Sequence, residues 1–169
     1  ASMPSTPLAL YQQAITEQGF VPDPAQQQAA EVLQACFDAL QRGEPARGVY
    51  LWGPVGRGKT WLMDRFYQSL RVPARRQHFH HFMQFVHKEL NKLSGQRNPL
   101  DIVADQIYKE AVVICFDEFF VSNVTDAMIL SDLFQKLFTR GITLIATSNI
   151  APDGLYKNGI HRDRFIPTI

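Results

Sequence analysis

The spacing of apolar residues along the chain predicts helices and strands in alternation. Apolar residues three and four positions apart predict a short helix from Thr6-Pro7 to Gly19 and a longer one from about 24 to 42. Uninterrupted apolar runs predict buried strands at 48–52, 111–116 and 142–147, with a short strand expected at 78–80. Helical spacing returns over 61–70, 82–93, 102–110 and 125–140. We therefore predict an α/β fold with a parallel sheet covered by helices on both faces.

A glycine-rich segment joins the first predicted strand to the following helix. Its sequence, from Gly53 to Thr60, satisfies the G-x-x-x-x-G-K-[ST] pattern of a phosphate-binding loop, or P-loop. Glycines let the backbone N–H groups approach phosphates, while Lys59 would contact the β- and γ-phosphates and Thr60 would bind Mg²⁺. The predicted nucleotide contacts are Gly53, Pro54, Val55, Gly56, Arg57, Gly58, Lys59, Thr60 and Trp61. The alternative is a glycine-rich turn with a solvated lysine.

Two carboxylates, Asp117 and Glu118, follow a buried strand. Parallel α/β sheets bind their ligands at the carboxyl ends of the strands, so we expect Asp117 to hold the Mg²⁺ shell and Glu118 to polarise an attacking water. The alternative is a solvated acidic pair that closes the strand. Small-molecule kinases need no such glutamate, and the N-K-x-D motif of GTP-specific switches is not found in the sequence. Water is therefore the expected phosphoryl acceptor.

Three further polar residues are candidates for the catalytic site. Asn149 ends a buried strand and would sense the γ-phosphate if that strand lies beside both motif strands; otherwise it only caps the strand. Arg164, and as second choice Arg162, would reach the nucleotide of a neighbouring subunit and stabilise charge on the transferred phosphoryl group. The alternative for both arginines is a surface salt bridge.

The overall composition narrows the choice of partners. The 17 Lys and Arg residues nearly balance the 16 Asp and Glu residues, giving a net charge of +1, which does not favour a dedicated nucleic-acid binder.

Cys36 and Cys115 lie in apolar stretches and are expected to be buried thiols. No apolar run approaches the roughly 18 residues of a membrane span.

The chain resembles the ZapE-like branch of the AAA+ ATPases over nearly its whole length. The resemblance lies in the P-loop continued through Leu62-Met63-Asp64, in 78–83, in Cys115-Phe116-Asp117-Glu118-Phe119, in 146–149, and in 155–159 with 162–165. It implies a three-layer P-loop NTPase fold that binds ATP and Mg²⁺. Under this reading 1–22 is an N-terminal extension with a short helix and 23–169 is the AAA+ core. The family adds a last core strand and a lid, which we expect to be missing from this chain, with weak turnover as a result.

The resemblance also implies cellular roles. Bacterial members act at the division site on the tubulin-like protein FtsZ, and mitochondrial inner-membrane relatives act in membrane-protein quality control. A homo-oligomeric ring, a cytoplasmic location and peripheral membrane association are implied, or the mitochondrial matrix for a eukaryotic relative. Two other functions stay open on the sequence: a nucleotide-gated scaffold with little turnover, and a nucleic-acid-loading ATPase.

Several weaker features have competing interpretations. His78, His80, His81 and His87 could form a metal site, but structural histidines are favoured because no cysteine or carboxylate stands at ligand spacing. Phe82-Met83 could grip a polypeptide in the pore of a ring, although helix packing is the favoured interpretation. The arginines at 71, 75, 76 and 97 could form a basic edge, for which a solvated surface is the favoured interpretation.

Overall fold

The structure is a computed structural model that describes residues 6–17, 24–44, 48–52, 59–121, 124–148 and 165–168, with Lys59 and 165–168 described by their backbone. The helices are α1 (Pro7–Glu17), α2 (Pro24–Gln41), α3 (Lys59–Ser69), α4 (Phe79–Lys92), α5 (Pro99–Glu110) and α6 (Val124–Thr139). The strands are β1 (Gly48–Trp52), β2 (Ala74–His78), β3 (Val113–Asp117), β4 (Thr143–Ser148) and β5 (Phe165–Thr168). Strands and helices alternate from β1 to β4, as predicted.

The five strands form one parallel sheet in the order β2-β3-β4-β1-β5. Parallel strands need crossover connections, and the helices between them supply these. β1 lies between β4 and β5, and β4 lies between β1 and β3. Because all strands run the same way, the carboxyl ends of β1, β3 and β4 meet at one edge of the sheet.

Side chains alternate along β3 between two hydrophobic cores. Ile114 and Phe116 pack into a core shared with α4, α5 and α6, while Val113 and Cys115 pack into a core shared with α1, α2 and α3. Successive strand residues point to opposite faces, so one apolar run supplies both cores. The predicted three-layer α/β architecture is confirmed.

The predicted strand at 78–80 is wrong. β2 is Ala74–His78, and Phe79 already begins α4. The His78 side chain accepts a hydrogen bond from the His80 backbone N–H and so caps the helix. The true strand was missed because it is polar, with the sequence Ala-Arg-Arg-Gln-His, and a strand at the sheet edge does not need a continuous apolar run.

The expectation that a last core strand is missing is also wrong. β5 pairs in parallel with β1, with Gly48 opposite Phe165 and Leu51 opposite Thr168. The segment is short and contains Pro167, which removes a backbone donor. A proline is tolerated in β5 because this strand lies at the edge of the sheet and pairs only with β1.

Two further residue groups of the sequence analysis are buried. Phe82 is fully buried and Met83 is 6% exposed, so the pore-gripping interpretation is wrong and helix packing is confirmed. Cys36 and Cys115 are both buried and unpaired, as expected. Burial raises the pKa of Cys36 to about 12 and also raises the pKa of Cys115. Both thiols therefore stay protonated at neutral pH.

Helix α1 packs closely on the rest of the structure. Tyr11 is 1% exposed and belongs to the core formed with α2 and α3. The Leu8 backbone N–H donates to Gln34 Oε1 on α2 over 3.1 Å. The predicted boundary between the extension and the core, at 22 and 23, lies outside the described residues and stays a prediction.

Phe116 provides a test of the core on the α4–α6 side of the sheet. It is fully buried, and its ring centroid lies 4.7 Å from that of Phe82 and 5.4 Å from that of Phe79. Phe116→Ala is expected to lower the free energy of unfolding by about 3–5 kcal/mol, since it removes buried contacts and leaves a cavity. Urea denaturation followed by circular dichroism measures this.

The matched control for this prediction is Phe120→Ala. Phe120 is 56% exposed, so the same truncation there is expected to change stability by no more than about 0.5 kcal/mol. Equal losses for the two variants would contradict the assigned core.

Candidate functional site

The strand and the helix predicted on either side of the P-loop are both present. β1 ends at Trp52, and α3 begins at Lys59. Residues 53–58, which make up most of the loop, lie outside the described residues. The first N–H groups of a helix have no partner within the helix and carry partial positive charge, so the start of α3 suits an anion.

The first residues of α3 present different surfaces. Thr60 is exposed, so its hydroxyl is accessible to a ligand. The Trp61 ring packs edge-on against Tyr11 at 6.2 Å between centroids, and the Arg65 guanidinium lies 5.1 Å from its centroid. The Trp61 side chain is thus used in packing, and its predicted nucleotide contact stays a prediction.

Asp117 is the last residue of β3, and a guanidinium binds both of its carboxylate oxygens. Arg76 Nε lies 2.8 Å from Asp117 Oδ2, and Arg76 Nη2 lies 2.9 Å from Oδ1. The remaining nitrogen, Nη1, contacts Asp64 Oδ1 on α3. Hydrogen bonding to Asp117 is the main cause of a raised Arg76 pKa. The pair is a two-pronged, charge-assisted contact at the edge of the sheet.

Glu118 turns out of the strand direction immediately after Asp117. Its φ is +56°, a left-handed conformation that costs about 1–3 kcal/mol in a residue other than glycine and is common at functional sites. Its backbone N–H donates to Thr147 Oγ1 over 3.2 Å. Its side chain is 76% exposed. The strained backbone therefore presents a carboxylate to solvent beside the end of β4.

His78 contacts the Glu118 carboxylate from β2. The distance between His78 Nε2 and Glu118 Oε2 is 2.7 Å. His78 Nδ1 accepts the His80 N–H over 3.1 Å, so in the neutral ring the proton lies on Nε2 and is donated to Glu118. One imidazole thus caps α4 and orients the glutamate.

The ends of β3 and β4 are joined by short hydrogen bonds. The Phe119 N–H donates to the Thr147 carbonyl over 2.7 Å, and Ser148 Oγ donates to the Phe119 carbonyl over 2.7 Å. β4 lies beside both β1 and β3, which is the condition set for Asn149 to reach the γ-phosphate. Asn149, Arg162 and Arg164 lie outside the described residues, so their roles stay predictions.

His87, Arg75 and Arg76 each contact a carboxylate of the protein. His87 Nε2 lies 2.9 Å from Asp126 Oδ1. Within the described part of the chain, no group of three or more His, Cys, Asp or Glu side chains is placed to hold a metal ion among themselves. Arg75 pairs with Glu110 over 3.3 Å, and Arg76 pairs with aspartates. The two arginines of β2 are thus engaged by carboxylates within the protein. None of the described helices is long and apolar enough to cross a membrane.

Sequence reasoning identified the two carboxylates but missed the β2 residues that contact them. Arg76 and His78 lie two positions apart, on the same side of the strand. Asp64 follows Thr60 by four residues on α3, which places both on one side of that helix. The sequence did contain a signal for an edge strand. Arg76 and His78 stand at alternate positions in a segment without an apolar run.

The sheet order, the helix after β1 and the acidic end of β3 define a P-loop protein of the AAA+ type. The fold is similar to the crystal structure of DnaI, with a TM-score of 0.64 over 89% of this chain and 88% of that one. Sequence identity to it is 17%, so this likeness shows the fold alone.

The chain belongs to the AFG1-like ATPase family, whose sequence profile matches residues 5–169. It is 47% identical over 191 aligned residues to the cell division protein ZapE of Escherichia coli K12, covering 97% of this chain and 51% of that protein. It is 42% identical over 137 residues to lactation elevated protein 1 homolog B of Danio rerio, covering 74% of this chain and 27% of that protein. The chain spans about half the length of the ZapE protein. The resemblance noted in the sequence is confirmed.

His78→Ala tests the helix cap. Loss of the capping acceptor is expected to lower the free energy of unfolding by about 1 kcal/mol. His78→Asn is the matched variant, because an asparagine oxygen can accept the same N–H, and it should retain most of the stability. Both are measured by urea denaturation. Equal stability of His78→Ala and the unaltered chain would contradict the capping role.

Proposed function

We propose that this chain is the nucleotide-binding core of an Mg²⁺-dependent ATPase that couples ATP hydrolysis to remodelling of a protein partner. The observation that supports it is that the α3 N-terminus follows the carboxyl end of β1, while Asp117 and Glu118 lie at the carboxyl end of β3, at the same edge of the sheet. ATP would need donors for its phosphates, oxygen ligands for its metal ion and a base for water. The described residues offer each of these groups at one edge of the sheet.

Each group has a distinct proposed role. The N–H groups at the start of α3, together with Lys59 and the loop 53–58, would bind the phosphates. Thr60 and Asp117 provide the hard oxygen atoms that suit Mg²⁺. When bound, Mg²⁺ would neutralise charge on the phosphate oxygens. These residues hold and orient the substrate and take no proton.

Glu118 is the proposed base for the attacking water. Its side chain is largely exposed, and one of its oxygens, Oε2, contacts His78. The other oxygen, Oε1, can accept a hydrogen bond from water. It would take the proton of that water as the water oxygen attacks the γ-phosphorus. The His78 contact limits the rotation of the carboxylate and so fixes where that water would stand.

Asn149 and the distal arginines complete the proposed site. Asn149 follows β4 directly and would contact the γ-phosphate. Arg164, or Arg162 in second place, would act on the nucleotide of a neighbouring subunit. Hydrolysis in this scheme needs an assembled homo-oligomeric ring.

The proposed partner is a protein of the division machinery. The similarity to the E. coli cell division protein ZapE supports this, and FtsZ is the specific client that we propose. The corresponding location is the cytoplasm, with peripheral association at the division site. A nucleic-acid-loading role has less support, because the arginines of β2 are bound to carboxylates and the likeness to DnaI extends to the fold alone.

Glu118→Gln separates binding from hydrolysis. The amide cannot act as a base, so turnover by the full-length protein is expected to fall by about 10²- to 10⁴-fold while ATP binding is kept. A phosphate-release assay and a fluorescent-nucleotide titration measure the two properties. Glu31→Gln, at an exposed position on α2, is the control and should leave both unchanged. Turnover by Glu118→Gln within about twofold of the control would contradict the proposed base.

Subunit mixing tests the arginine in trans. Full-length Arg164→Ala and Lys59→Ala proteins should each be inactive alone. In mixed rings a Lys59→Ala subunit can supply Arg164 to the intact P-loop of its neighbour, so part of the activity should return. Mixing with Arg162→Ala in place of Arg164→Ala gives the comparison for the second candidate. Full activity of Arg164→Ala alone, or no recovery on mixing, would contradict an essential Arg164 in trans.

A further inference from the structure

We propose that Arg76 is a positioning residue that holds the Asp117 carboxylate in the orientation needed for the metal ion that accompanies the nucleotide. The proposal rests on the proposed function, since it concerns the same site. Arg76 contacts both oxygens of Asp117, at 2.8 and 2.9 Å, and uses its third nitrogen on Asp64. The three side chains form one continuous contact between β3, β2 and α3.

The strand register explains how Arg76 reaches Asp117. Arg76 lies opposite Cys115 in the β2–β3 pair, and Asp117 is two residues further along β3. Residues two apart share a face of the sheet, so Arg76 and Asp117 are diagonal neighbours, within reach of a long side chain. Cys115 faces the core formed with α1, α2 and α3. Arg76 and Asp117 are therefore on the α3 side of the sheet.

The helix geometry explains the third contact. Asp64 is on α3, four residues after Thr60, and residues four apart lie on the same side of a helix. The contact from Arg76 to Asp64 thus joins the helix that carries Thr60 to the strand that ends in Asp117. This third contact links the two elements, whereas the two-pronged contact that orients a carboxylate is made to Asp117 alone.

The two-pronged contact between Arg76 and Asp117, here called the fork, is compatible with a metal ion nearby. A carboxylate has about four lone-pair positions, and a two-pronged contact occupies one on each oxygen. A position on each oxygen remains for a metal ion or for its water shell. Arg76 is 22% exposed and Asp117 is 25% exposed, so water screens the pair only partly. Removing the guanidinium would leave two carboxylates without their shared cation and leave Asp117 free to rotate.

The contacts of Arg76 have two competing explanations with different consequences. If Arg76 only braces β2 against α3, then loss of Asp64 should have the same effect as loss of Arg76. If Arg76 instead blocks Asp117 from the metal ion, then its removal should increase metal affinity. A positioning role predicts that loss of Arg76 weakens metal binding. Loss of Asp64 should have a small effect, because the contact between Arg76 and Asp117 is then kept.

The experiment measures binding of fluorescent N-methylanthraniloyl-ATP to the chain, in EDTA and over a titration of MgCl₂. For Arg76→Gln, we expect the Mg²⁺ concentration giving half of the Mg²⁺-dependent increase in affinity to rise by about 10- to 100-fold, as for other residues that orient a metal ligand. Affinity in EDTA should stay within about twofold. Arg76→Lys keeps the positive charge but cannot make the two-pronged contact. Its Mg²⁺ midpoint should lie between those of the unaltered chain and Arg76→Gln.

Two variants serve as controls for that titration. Asp64→Asn keeps the fork on Asp117, and Arg75→Gln removes a neighbouring arginine that pairs with Glu110 instead. Both should shift the Mg²⁺ midpoint by no more than about threefold. Should Arg76→Gln fail to fold in circular dichroism, Arg76→Lys decides the matter, and an unchanged midpoint for it overturns the proposal.

The outcomes separate the positioning role from the proposed function. An unchanged or lower Mg²⁺ midpoint for Arg76→Gln, or an equal rise for Asp64→Asn, overturns the role of Arg76. Lys59→Ala is measured in parallel and should lose nucleotide binding even in EDTA. If Lys59→Ala binds nucleotide as the unaltered chain does, the proposed function fails as well.

Discussion

The site depends on one constraint: the carboxyl ends of parallel strands all lie at the same edge of the sheet, and helices cover both of its faces. β1, β3 and β4 are largely apolar because helices cover them on two sides, and polar side chains stand at the carboxyl ends of β3 and β4. Asp117 and Ser148 stand at those ends, and α3 begins beyond the end of β1. The same alternation that divides β3 between two cores also determines that Asp117 lies on the α3 side of the sheet.

The sequence predicted the covered strands and the chemistry at their ends because burial and phosphate binding both leave clear patterns. It predicted the wrong residues for β2, since an edge strand carries polar side chains and its last residue also caps a helix. It also missed β5, because Pro167 and the short length of the segment hide a strand that pairs on one side only. Both errors concern sheet edges, where the periodicity of apolar residues is weakest.

The contacts of the two carboxylates could not be predicted from the sequence, because they depend on strand order. Arg76 and Asp117 are far apart in the chain and become neighbours only when β2 pairs with β3. The same pairing brings His78 to Glu118. An edge strand with an arginine and a histidine at alternate positions thus contacts both carboxylates proposed for hydrolysis. The positive φ of Glu118, held by the Thr147 hydroxyl, separates the directions of these two side chains.

We propose that ATP binds with its phosphates between the α3 N-terminus and Asp117 and that an arginine of the next subunit completes the site. A cryo-electron microscopy map of the full-length Glu118→Gln protein, assembled with ATP and Mg²⁺, tests this most directly. We expect a ring with density for phosphates at Lys59 and Thr60, a metal ion near Asp117 and an arginine from the neighbouring subunit beside the γ-phosphate. Nucleotide bound away from this edge, or Asp117 remote from the metal ion, would contradict it.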